Sequence, residues 1–167
     1  FFFNFHGNKI CIMICEDLWN YSSISNKDLD DIDFLISINA SPYENNKDLE
    51  RINFFREIAS VNKFNIIYLN TVGGQDEIVF DGSSFLIDRE GNIKHKCNAF
   101  DELIYKFSVE DKNFSVNCEY TNDHKYNQYE YLYEALKIGT YDYIKKSNFD
   151  GVLLGLSGGI DSALTLT

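Results

Sequence analysis

Hydrophobic and polar positions alternate along this chain in blocks of strand and helix length. Lys9 to Ile14 (KICIMI) is a short apolar run that ends at Cys15-Glu16-Asp17. A polar stretch follows, Asn20 to Asp31, read as helical in its second half. Asp33 to Ile38 (DFLISI) is a second buried-strand pattern, and Asn39 to Asn46 is a loop holding Pro42, the only proline. Lys47 to Asn62 carries Leu49, Ile52, Phe55, Ile58 and Ala59 at helical spacing. Asn65 to Asn70 is a third apolar strand. Strand, helix, strand at this spacing predicts an α/β fold.

After Gly73 the texture changes. Gly73-Gly74-Gln75-Asp76 and Asp81-Gly82 are turn signals. Ser84 to Asp88, Asn92 to Lys96 and Glu102 to Phe107 read as strands, with Asp88-Arg89-Glu90-Gly91 as a hairpin turn. A polar stretch from Glu110 to Tyr126 is the best linker. Asn127 to Lys146 reads as a long helix, and Asp150 to Leu156 (DGVLLGL) as a last buried strand. No repeat or low-complexity segment interrupts the pattern.

Composition narrows the classes. With 15 basic against 26 acidic residues and a net charge of −11, the chain does not suit a phosphate backbone, so no nucleic-acid partner is expected. It has no run of 18 apolar residues, so no transmembrane helix and no membrane partner are expected. The Phe1-Phe2-Phe3 start lacks a charged region and a cleavage site, so it does not read as a signal peptide. It also lacks an initiator Met, and the chain is expected to be a piece of something longer. Cys11, Cys15, Cys97 and Cys118 form no C-x-x-C pair, and three scattered histidines show no ligand spacing, so no metal site is expected from protein ligands. The cysteines read as free thiols in a reducing cytoplasm.

Two places carry chemistry. The first is Gly155-Leu156-Ser157-Gly158-Gly159-Ile160-Asp161-Ser162, between an apolar segment and a helix start. Glycines without Cβ let backbone N–H groups close on an anion, and a helix N-terminus adds partial positive charge. Ser157 and Ser162 supply hydroxyls, and Asp161 suits Mg²⁺ or a donor group beside phosphates. No Lys precedes Ser162, so the loop is not a Walker A sequence. The second is Cys15, a nucleophile type at a strand end, where a side chain meets a cleft on rigid backbone. Carboxylates at Glu16 and Asp17 disfavour a thiolate, so activation must come from a cation and a base elsewhere.

The Ser157–Ser162 motif, S-G-G-x-D-S, resembles the pyrophosphate loop of the ATP pyrophosphatase enzymes, which adenylylate a substrate and let ammonia displace AMP. Ile14-Cys15-Glu16-Asp17-Leu18-Trp19 resembles the nucleophile segment of the nitrilase (carbon–nitrogen hydrolase) superfamily. Asn39-Ala40-Ser41-Pro42-Tyr43, the helix with Arg51, Tyr68 to Glu77 and Phe80-Asp81-Gly82 look like later segments of the same domain. Together the two halves resemble the glutamine-dependent NAD synthetases over nearly the whole chain.

The resemblance implies a partial nitrilase-like αββα sandwich followed by the first strand, loop and helix of a Rossmann-like domain. Its boundaries would be residues 1–109 for the glutaminase part, 110–126 for a linker and 127–167 for the start of the synthetase part. It implies Cys15 as the nucleophile, with the Glu16 N–H in the oxyanion site, and Ser41, Lys47, Glu16 and Trp19 around glutamine. It implies ATP at residues 155–162, Mg²⁺ with it, deamido-NAD as the second substrate, a homo-oligomer and a cytoplasmic location. The family's catalytic Glu and Lys would lie upstream of the cysteine, where only fourteen residues stand. The chain alone is therefore expected not to hydrolyse glutamine. A stand-alone nitrilase-type amidase and a non-catalytic remnant are the alternatives.

Overall fold

A computed structural model describes residues 1–18, 29, 31–116 and 127–167. The centre is a six-stranded mixed sheet in the order β1-β2-β3-β4-β7-β8. Its strands are β1 (Phe2–Phe5), β2 (Asn8–Ile14), β3 (Phe34–Asn39), β4 (Asn65–Asn70), β7 (Phe85–Ile87) and β8 (Ile93–Lys96). β2, β3 and β4 run parallel, and the pairs β1–β2, β4–β7 and β7–β8 are antiparallel. Two hairpins stand apart, β5 (Val72–Gln75) with β6 (Ile78–Asp81), and β9 (Ser108–Glu110) with β10 (Asn113–Ser115).

Alternation divides the sheet into two faces. One face presents Cys11, Met13, Leu35, Ile66, Tyr68, Phe85 and Ile87 to helix α1 (Lys47–Asn62). Ile52, Phe55, Ile58 and Ala59 of α1 fill that layer, which is why the helix reads so clearly in the sequence. Phe55 meets Tyr68 edge-on at 4.8 Å, and Tyr68 stacks on Phe85 at 4.5 Å. The other face holds a smaller cluster of Phe34, Leu86 and Phe114, with Ile10, Ile67, Tyr105, Phe107 and Val116 against it.

The segment Glu102 to Phe107 is not the strand its alternation predicts. It runs irregularly across the second face, and Tyr105 and Phe107 reach the sheet from there. Pairing instead occurs one step later, in β9 and β10. That hairpin overlaps the start of the stretch predicted as a linker. Phe114 is buried, Lys112 pairs with Asp33 at 2.9 Å, and Asn65 Nδ2 donates to the Lys112 carbonyl at 2.9 Å. Residues 117–126 of that stretch, and most of the predicted helix within 20–31, lie outside the described residues.

Helix α2 (Gln128–Lys146) is the long helix expected from the sequence, capped by the Asn127 side chain on the N–H groups of Tyr129 and Glu130. It rests on the β5–β6 hairpin. A Cβ on Gly74 would stand 3.0 Å from the Gly139 Cα, so glycine on both elements permits the close approach. Asp142 accepts from the Gly74 N–H at 2.7 Å, and Lys146 Nζ donates to the Gly74 carbonyl at 2.5 Å. None of the described helices is long and apolar enough to cross a membrane.

The last predicted strand, Asp150 to Leu156, does not form. Val152, Leu153, Leu154 and Leu156 are exposed, and no strand is paired with them among the described residues. A strand needs a neighbour for its backbone groups, and an apolar run cannot supply one by itself. The short helix predicted after the loop is present as α3 (Ile160–Leu166).

Candidate active site

The parallel strands β2, β3 and β4 end side by side. Ile14 pairs with Ile38, and Asn39 with Asn70, so Cys15, the Asn39–Ser41 segment and Asn70 share one edge. Carboxyl ends of parallel strands are where open α/β sheets place their ligands.

Cys15 leaves β2 in a left-handed conformation, φ 48°, and opens a single 3-10 turn, Cys15–Asp17. A cysteine gains nothing from that conformation locally, so surrounding contacts must hold it. Asp17 Oδ2 accepts the Ile14 N–H at 2.9 Å, and Leu18 is fully buried in the main core. The half-buried thiol is thereby set on a fixed elbow, with Glu16 exposed beside it. Cys11, two turns of the pleat earlier, is buried in the core, and desolvation pushes its thiol above the usual range.

Ser41 sits just past β3. Its N–H donates to Asn70 Oδ1 at 2.8 Å, and its carbonyl accepts from Asn70 Nδ2 at 3.1 Å. Lys47 begins α1 and pairs with Glu44. Beneath them lies a buried polar web that sequence reasoning did not single out. Arg51 Nη2 bonds Asp81 Oδ2 at 2.6 Å, with both side chains essentially without solvent contact. Burial disfavours the guanidinium charge, but Asp81 outweighs it and holds the group more firmly protonated. Desolvation raises the Tyr68 hydroxyl, and the nearby Arg51 charge and polar groups of Arg51 and Ser41 offset only part of that rise. The signal available in sequence was Arg51 on an apolar helix face, seven residues after Glu44 and within a run of buried positions.

The ends of adjacent strands therefore carry Cys15, with Glu16 after it, and the segment leading to Ser41, while Lys47 opens α1 six residues further on. Trp19 lies outside the described residues. The segment 155–162 is built differently. Ser157 Oγ and Ser162 Oγ are 3.1 Å apart, Gly159 N–H donates to Ser157 Oγ at 3.3 Å, and Ser162 Oγ donates to the Gly159 carbonyl at 3.0 Å. Gly158 takes φ +83°, which a side chain would disfavour. Gly155 to Asp161 are all exposed. Among the described residues no cluster of three His, Cys, Asp or Glu side chains is arranged for a metal.

Comparison with known proteins adds three findings. A family model described as NAD synthase matches residues 132–167. The chain is similar along nearly its whole length to proteins named glutamine-dependent NAD(+) synthetase. That from Acinetobacter baylyi is 37% identical over 166 residues, covering 98% of this chain and 30% of the relative. That from Aquifex aeolicus is 32% identical, covering 95% of this chain and 33% of the relative. The chain thus spans about a third of the length of the curated relatives it matches. The solved glutamine-dependent NAD+ synthetase of Acinetobacter baumannii, in complex with ADP, superposes with a TM-score of 0.89 at 36% identity, over 99% of this chain and 31% of that one. An amidase of the nitrilase superfamily from Nesterenkonia sp. AN1 shares the fold of 58% of the chain, with a TM-score of 0.51 at 15% identity.

Proposed function

We propose that the protein carrying this chain is a glutamine-dependent NAD(+) synthetase, which amidates deamido-NAD at the expense of ATP with ammonia from glutamine. One observation carries this: a cysteine elbow at a parallel-strand end and an S-G-G-x-D-S loop lie on one chain whose similarity to such synthetases is continuous from end to end. A stand-alone nitrilase-type amidase accounts for Cys15 but leaves the match over residues 132–167 without a purpose.

In this mechanism Cys15 Sγ attacks the glutamine carboxamide carbon. The Glu16 N–H helps to stabilise the oxyanion, ammonia leaves as the thioester forms, and water then releases glutamate. Ser41 and Lys47 hold the glutamine, with Glu16 near its amino group and Trp19 as a further glutamine-binding residue. At the second site the carboxylate of deamido-NAD attacks the α-phosphorus of ATP, and pyrophosphate leaves. Ammonia then attacks the adenylate carbonyl and AMP leaves. The N–H groups and hydroxyls of residues 155–162 receive the phosphates. Asp161 with the Ser157 and Ser162 hydroxyls is a hard oxygen set that suits Mg²⁺ held jointly with phosphates. Bound there, Mg²⁺ would offset negative charge on the departing pyrophosphate. Residues 1–109 serve the glutaminase half as part of a nitrilase-like sandwich, and 127–167 begin the Rossmann-like synthetase half. The protein works in the cytoplasm as a homo-oligomer.

A cysteine-directed glutamine analogue tests the first half. It should label the intact protein at Cys15 and leave Cys15→Ala unlabelled. Equal labelling of both removes Cys15 from the mechanism.

A further inference from the structure

The loop that joins Ser41 to Lys47 does little to fix the distance between them. Glu44 to Asn46 are exposed, Asn46 is left-handed at φ 65°, and the loop's ties are the Tyr43 N–H on the Val79 carbonyl and Lys47 on Glu44, neither of which reaches Ser41. A second route joins the same two residues through the interior. Asn70 pairs with the Ser41 N–H and carbonyl at 2.8 and 3.1 Å, as the backbone of a neighbouring strand would. Its remaining N–H reaches Asp81 Oδ1 at 3.4 Å. The other Asp81 oxygen holds Arg51 at 2.6 Å, and Arg51 Nε donates to the Lys47 carbonyl at 3.3 Å. Asn70 is itself fixed, since its N–H donates to Ser84 Oγ at 3.0 Å.

Such a route is stiff for a physical reason. Arg51 and Asp81 are sealed from water, so neither can turn away without leaving a buried charge unpaired. The Asn70 amide spends its acceptor and both donors on this path, so it cannot rotate without losing all three bonds.

We infer that Asn70 and Asp81 are positioning residues, which set Ser41 against Lys47 so that the two grip one amide substrate. This rests on the glutamine-donor reading above. Neither residue touches the thiol or the reacting carbon. Their effect should therefore fall on glutamine binding and spare the chemistry driven by free ammonia.

The test uses the intact protein, with glutamine and ammonium compared as nitrogen donors. Asn70→Leu keeps the volume and removes the bonds. Its KM for glutamine should rise by about tenfold or more, the equivalent of one buried hydrogen bond, while the ammonium-driven rate changes by less than about twofold. Asn70→Asp leaves an acceptor for Ser41 but faces Asp81 with a second carboxylate, so it should raise the KM further. Adding Asp81→Asn to Asn70→Asp restores a single negative charge beside Arg51 and should recover part of the loss. A wild-type glutamine KM in Asn70→Leu or in Asn70→Asp overturns the inference. So does an equal fall with both donors, which marks a merely structural role. If Asn70→Leu does not fold, the Asn70→Asp variant and its double partner carry the same comparison. Cys15→Ala keeps the two failures apart: if it still uses glutamine, the donor reading itself is lost.

Discussion

The two candidate sites of this chain are built in opposite ways. At the sheet edge, Ser41 and Lys47 rest on an ion pair with almost no access to water and on a half-buried amide. At residues 155–162 the hydrogen bonds are local, made between neighbours, and the backbone is exposed. The first site is a product of tertiary packing and exists because distant segments meet. The second is a property of its own sequence, a glycine turn with two hydroxyls. A motif can therefore be complete as a sequence and still depend on other parts for its walls.

Substitutions at the two sites should separate these cases. The largest effect belongs to the buried pair. Arg51→Met leaves Asp81 buried and uncompensated, and should cost about 3–5 kcal/mol of stability in denaturant unfolding. A loss below about 1 kcal/mol would mean that the pair is not sealed as described. Next comes the seat of α2. Gly74→Val drives a side chain into the Gly139 backbone, and should cost about 1–3 kcal/mol while loosening the helix that precedes residues 155–162. Hydrogen exchange in residues 128–146 would report it.

Gly158→Ala should act in the reverse sense. It strains the loop locally by roughly 1–2 kcal/mol, yet no other atom lies within reach of the new methyl. Global stability should fall by no more than that strain of about 1–2 kcal/mol, while nucleotide-dependent activity drops. A large loss of stability would show that the loop is anchored elsewhere.

The smallest effect is a pH dependence away from both sites. His95 stacks on Tyr105 at 3.5 Å, and burial holds its imidazole below the usual histidine range. As pH falls, the unfolded chain takes up this proton first. Stability is thus full above the ordinary histidine value of about 6.5 and declines as pH drops through and below it. His95→Phe should flatten that decline in melting curves taken between pH 7 and 5. An unchanged slope would place its cause elsewhere.

What the sequence made legible follows the same division. Lys47–Asn62 and Asn65–Asn70 were predicted with the bounds they have, because each is a local period set against one core. The S-G-G-x-D-S turn and the Cys15 strand end were legible for the same reason. Gly73-Gly74 read as a turn but forms β5, since those glycines serve the approach of α2 from 65 residues away in sequence. Asp150 to Leu156 read as a strand and is not one here, because apolarity predicts burial and burial needs a partner. Arg51, Asn70 and Asp81 each stood in a segment the resemblance covers, but the web that joins them was not legible, because no spacing rule links positions 51, 70 and 81. Only the fold brings a helix turn, a strand end and a hairpin strand to one point.

In the proposed function one protein feeds its ATP site with ammonia released at Cys15. The most direct measurement is NAD formation by the intact protein from deamido-NAD and ATP, with glutamine or ammonium as donor, in wild type and Cys15→Ala. Wild type should use both donors, and Cys15→Ala should lose glutamine while keeping ammonium. Glutamine-driven synthesis that survives in Cys15→Ala, or no synthesis by wild type with either donor, would contradict it.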